Sequence, residues 1–150
     1  MDLNRPRHHP LIAIVAGTRP ECLKTASIVR ALKHHLSFDV CLINSGQHRA
    51  LVDQTFAHLG VDVDVALASP GPGRSLSQTV AALRESLTRC YAELQPAAVV
   101  VQGDTSTAYA GALAARDLRI PLAHVEAGLR TANPMRPFPE EAFRRRRTPA

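Results

Sequence analysis

No apolar run in this chain approaches the ~20 residues that a membrane-spanning helix needs, and residues 1–10 are polar, without the apolar stretch of a secretory signal. The expected compartment is therefore the cytoplasm. Cysteine is scarce: Cys22, Cys41 and Cys90 are odd in number, widely spaced, and form no Cys-x-x-Cys pair. That pattern argues against a disulfide framework or a zinc site and for buried free thiols. Lysine is scarcer still, with two against sixteen arginines. Four of those arginines, Arg144 to Arg147, are consecutive and account for most of the net charge of +5. A general affinity for nucleic acid would rest on that run alone. There is no internal repeat.

What is present describes a globular α/β protein. The 150 residues are 45% hydrophobic and 21% charged, a length and balance ordinary for one domain. The hydrophobic period alternates along the chain. Residues 11–16 form a continuous apolar run, as in a strand buried on both faces. Over 20–36, Leu23, Ala26, Val29, Leu32 and Leu36 recur at the three- and four-residue spacing of an amphipathic helix. A second strand is expected over 38–43, then a short helix marked by Leu51, Val52, Phe56 and Leu59 and ended by Gly60. A weak strand over 64–67 and a Pro/Gly loop over 69–73 follow.

Ser75 and Gln78 read as a capping box opening a long helix, with Leu76, Val80, Leu83, Leu87, Tyr91 and Leu94 on one face. A strand over 97–101, a helix over 105–118 and a strand over 120–125 complete the series. Alternating strands and helices with short connections imply parallel strands joined by right-handed crossovers, hence a Rossmann-like sheet with helices on both faces.

Polar clusters follow the strands, at the edge where such sheets bind ligands. Gly17-Thr18-Arg19-Pro20-Glu21 has two readings. Thr18 and Glu21 can form a capping box with Pro20 in the first turn. Alternatively the helix N-terminus, with Arg19 and Lys24 beside it, offers an anion site. Gly103-Asp104-Thr105 is similarly open: Asp104 is either an N-cap accepting from Ser106 or Thr107, or a site carboxylate. His124 and Glu126 face one side of an extended segment, as either a structural or an acid/base pair, with Arg130 close by. Glu140-Glu141 can be the acidic first turn of a helix. Gln47 and His48 follow a strand and face the same edge.

These strings together resemble the non-hydrolysing UDP-N-acetylglucosamine 2-epimerases. The match runs through Gly17 to Glu21 with Lys24, Gly46-Gln47-His48-Arg49, Gly103 to Thr105, Ile120-Pro121, His124 to Thr131 and Pro139-Glu140-Glu141. The resemblance covers residues 1–142 and implies one lobe, incomplete, of a GT-B-like enzyme whose sugar nucleotide lies between two Rossmann-like lobes. It implies Asp104, Glu126 and Glu140 as catalytic carboxylates, and Arg19, Lys24, Gln47, His48 and Arg130 as contacts of UDP. It implies conversion of UDP-GlcNAc to UDP-ManNAc by elimination and re-addition of UDP, with no metal or nicotinamide cofactor. The partners implied are UDP-GlcNAc and a second subunit of a full-length homodimer, with neither nucleic acid nor membrane.

The chain departs from that pattern at its end. After Pro139-Glu140-Glu141 the family has an asparagine–arginine pair, where this sequence has Phe143 and the arginine run. Residues 143–150 therefore read as a divergent, solvated tail, and the chain alone as an inactive part. The alternative is a sugar-nucleotide-binding module that acts with a separate second lobe.

Overall fold

The apolar runs become the strands of a single sheet. The computed structural model describes residues 9–127 together with Pro139 and Phe143. The elements in chain order are β1 (Leu11–Ala16), α1 (Arg19–Lys33), β2 (Asp39–Asn44), α2 (Arg49–His58), β3 (Val65–Ala66), α3 (Leu76–Leu94), β4 (Ala98–Gln102), α4 (Ser106–Asp117) and β5 (Leu122–Val125). All pairings are parallel and the strand order is β3-β2-β1-β4-β5. The chain winds outward from β1 to β3, then crosses back to lay β4 against the other side of β1. The crevice beyond the carboxyl ends of β1 and β4 is thus the switch point, where loops from opposite windings diverge and leave room for a ligand.

Side-chain alternation along the strands feeds two cores. Ala13, Val15, Cys41, Ile43, Val99 and Val101 pack with Leu83, Leu87 and Tyr91 of α3 and the alanines of α4. Ile14, Ala16, Val40, Leu42 and Val100 pack on the other face with Cys22, Ala26 and Val29 of α1 and Val52 and Phe56 of α2. The doubly wound architecture expected from the alternating period is the one that forms. The three cysteines are free and buried, and burial pushes the thiols of Cys22 and Cys90 up to about 12 and about 11. Among the described residues no helix is long and apolar enough to cross a membrane.

Boundaries differ from the pattern where the chain must turn. The α1 helix is capped at His34, and Leu36 lies beyond it at 89% exposure, because the chain is already turning to enter β2. The Ser75–Gln78 capping box forms as expected: Ser75 Oγ accepts from the Gln78 N–H at 3.3 Å, and Gln78 Oε1 accepts from the Ser75 N–H at 2.9 Å. Phe143, placed with the tail by its sequence, is buried and stacks on Tyr109 of α4 with ring centroids 4.6 Å apart. Arg144 to Arg147 lie outside the described residues.

One polar atom in the core lacks a partner among the described residues, the Tyr91 hydroxyl. It points at Gly111 of α4, where a Cβ would stand 3.2 Å from it. An unpaired buried hydroxyl forfeits its bond to water on folding. Tyr91→Phe should therefore raise the unfolding free energy by about 1 kcal/mol, read as a higher urea midpoint with an unchanged slope. A lower midpoint would mean that the hydroxyl has a partner which the fold needs.

Candidate functional site

Four strand ends converge on the switch-point crevice, and buried polar side chains bind them together. The first is Glu21. It is fully buried, and its Oε2 accepts from the backbone N–H groups of Gly17 at 2.8 Å and Thr18 at 2.7 Å, and from the Thr18 hydroxyl at 2.9 Å. Its Oε1 accepts from the Thr105 hydroxyl at 2.6 Å. Glu21 thus does more than the capping box read from its spacing, because it ties the β1–α1 turn to the β4–α4 turn. It also alters the anion-site reading. The N–H groups of Gly17 and Thr18 are already taken by this internal carboxylate.

The N-terminus of α4 is occupied in the same way. Its cap is Thr105, whose Oγ1 accepts from the Ala108 N–H at 3.0 Å, and not Asp104 as the cap reading had it. Gly103, at φ +69°, turns the chain one residue further than that reading assumed, which leaves Asp104 in the turn ahead of the cap. Gln47 reaches over from the β2 end, and its Oε1 accepts from both the N–H (3.0 Å) and the hydroxyl (2.7 Å) of Thr107. The Thr107 and Ser45 hydroxyls are 2.7 Å apart. His48 joins through its backbone, its N–H donating to Gly17 O at 3.0 Å, while its side chain is exposed at the start of α2.

The β5 end brings Glu126 to Lys24. The Lys24 Nζ lies 2.8 and 2.7 Å from the two carboxylate oxygens, and the Gln102 amide, buried at the end of β4, also donates to Glu126. The expected His124–Glu126 pair does not form. Glu126 has φ +62°, so the period-two alternation of the strand stops one residue before it. The His124 Nε2 instead lies 2.7 Å from Gly103 O.

Arg19 is exposed and lines a separate open groove of about 310 Å³ with Leu23, Leu51, Gln54, Thr55, His58 and Leu59, on the α1–α2 side. Lys24 and Glu126 are therefore brought together, Gln47 and Asp104 flank one helix start, and Arg19 stands apart. Arg130 and Glu140 lie outside the described residues. Sequence reasoning missed Ser45, Gln102, Thr105 and Thr107. Polar residues ending apolar strands, as Gln102 ends β4 and Ser45 follows β2, were the available signal.

Burial raises the Glu21 carboxyl above its ordinary 4.5, against the opposing pull of its hydrogen bonds. The folded state therefore holds this proton more tightly than the unfolded state. The associated stability is fully present below pH 4.5 and is lost as pH rises through the folded value. Glu21→Gln removes the titration. Urea midpoints of the two proteins should thus diverge in the variant's favour as pH climbs from about 4 towards neutrality. A difference that stays flat, or grows in favour of the wild type, would contradict the dominance of burial.

The sequence and fold agree with known proteins. The family model for UDP-N-acetylglucosamine 2-epimerase matches residues 30–148. The UDP-N-acetylglucosamine 2-epimerase of Neisseria meningitidis is 39% identical over 136 residues, covering 89% of this chain and 36% of the relative. That of Escherichia coli K12 is 41% identical over 133 residues, covering 89% and 35%. The crystal structure of the N. meningitidis enzyme bound to UDP-GlcNAc superposes with a TM-score of 0.85 at 38% identity, over 90% of this chain and 36% of that one. This chain thus spans little more than a third of the length of these relatives. The five strands among the described residues correspond to part of the relatives' GT-B-like fold. With a family model over most of its length and the same parallel sheet, the chain belongs to the UDP-N-acetylglucosamine 2-epimerase family.

Proposed function

We propose that these residues form one side of the active site of a non-hydrolysing UDP-GlcNAc 2-epimerase, interconverting UDP-GlcNAc and UDP-ManNAc. Carbon 2 of the sugar is not adjacent to a carbonyl, so its proton is not acidic enough for simple removal and return. The reaction instead breaks the bond from carbon 1 to UDP as a base takes the carbon 2 proton, leaving an unsaturated glycal. Protonation of carbon 2 on the other face, with re-addition of UDP at carbon 1, completes the exchange. Asp104, Glu126 and Glu140 are the proposed acid/base carboxylates. Lys24, Arg19, Gln47, His48 and Arg130 are the proposed contacts of UDP, with cations to hold the departing diphosphate. The protein would work in the cytoplasm as part of a homodimer.

The observation that supports this most directly is the pairing of Lys24 with Glu126, 102 residues apart, at 2.7 Å on the carboxyl edge. It puts a cation suited to the diphosphate beside a carboxylate suited to the carbon 2 proton. Titrating the chain with UDP, and following backbone amide resonances, tests the reading. Saturable shifts should centre on Lys24, Gln102 and Glu126, and Lys24→Met should weaken them. Shifts absent at these residues, or unaffected by the variant, would overturn it. Turnover by these 150 residues alone should be undetectable, since a one-sided site forgoes an orientation term worth up to ~7–11 kcal/mol.

A further inference from the structure

We propose that Glu21 is a positioning residue of this site, its carboxylate locking the turn that leads into α1 against the turn that carries Asp104. The inference rests on the epimerase reading above and goes beyond it by naming what sets the geometry of the crevice. The two oxygens of Glu21 face opposite ways across the switch point. Oε2 gathers three donors from Gly17 and Thr18. Oε1 takes the Thr105 proton, leaving the Thr105 oxygen to accept from Ala108 and start α4.

Four donors converge on the two oxygens, the pattern that suits an ionised carboxylate and works against the burial that raises its pKa. A glutamine at 21 would keep its carbonyl against the three donors and turn its NH₂ group towards Thr105. The Thr105 hydroxyl would then meet N–H hydrogens from two directions, and its own proton would lose its acceptor. A cap alone would not need the charge, since glutamine serves the same role in capping boxes. Helix α3 shows this with Gln78. Nor does burial of the carboxylate favour it, because the side chain is fully enclosed. What the carboxylate alone provides is the bond across the crevice.

The test uses this chain, with UDP as the probe, in the variants Glu21→Gln, Thr105→Val and Thr105→Ser. Glu21→Gln should remain folded at neutral pH, weaken UDP binding between about ten- and a hundredfold, and shift the Asp104 amide resonance on the far side of the bond. Thr105→Val should shift Gly17, Thr18 and Arg19 reciprocally, and Thr105→Ser should restore the wild-type spectrum and affinity. A merely structural role predicts altered unfolding midpoints with unchanged UDP affinity of the folded protein. That result, or shifts confined to the substituted turn, overturns the proposal. A wild-type chain that ignores UDP overturns the epimerase reading instead, and the reciprocal shifts still judge the clasp.

Discussion

Glu126→Gln should lower epimerase turnover by ~10²–10⁴-fold, the range for loss of a true general acid or base, while leaving stability nearly untouched. The readout is UDP-ManNAc formed by a full-length protein carrying these residues, alongside a urea unfolding curve. The separation of the two effects follows from local geometry. The Glu126 side chain is 36% exposed and its Lys24 partner 47%, so the ion pair is solvent-screened and contributes at most about 1 kcal/mol. Its backbone stands at φ +62°, a region that costs a non-glycine residue on the order of 1 kcal/mol. Glu126→Gly relieves that strain but removes both the pair and the acceptor of the buried Gln102 amide, so it should cost about 1–3 kcal/mol while turnover falls as far. Near-normal turnover in either variant would remove Glu126 from the reaction.

Gly17→Ala should be strongly destabilising, costing on the order of 3 kcal/mol. Its Cβ would lie 2.0 Å from Thr107 Oγ1, 2.2 Å from Ser45 Oγ and 2.9 Å from Thr107 Cβ. Both hydroxyls would have to leave, and both are bonded: to each other, and in the case of Thr107 to Gln47. The buried polar atoms would then be orphaned together. Gly60→Ala is the control. Gly60 has φ +63° but nothing within 4 Å of its Cβ position, so only backbone strain of about 1 kcal/mol applies. Equal losses at the two sites, measured by chemical denaturation, would show that packing at the strand ends is looser than the distances state.

How much of this was legible beforehand depended on the range of each interaction. The strands and the two-sided core were readable because continuous apolar runs and three-to-four spacing are local signals, as was the Ser75–Gln78 box. The identity of the α4 cap was not, because Asp104 and Thr105 are both competent caps and only the left-handed Gly103 decides between them. The His124–Glu126 pairing failed for a related reason: face alternation holds only while the backbone stays extended, and Glu126 leaves it. Glu21 looked local because one of its oxygens is local. Its other partner is 84 residues away, and only the strand order brings the two together.

The polar clasp also has a kinetic consequence. Its bonds span 84, 62 and 60 residues, from Glu21 to Thr105, Ser45 to Thr107 and Gln47 to Thr107. None can close until β1, β2 and β4 lie side by side in register. The hydrophobic faces of those strands can collapse earlier, since they need no such accuracy. The crevice should therefore set after these strands have paired, late in folding and beyond the transition state. Substitutions within the clasp should act on the unfolding rate and leave the refolding rate alone, so the residues that shape the site govern how long the native lobe survives, not how fast it is reached.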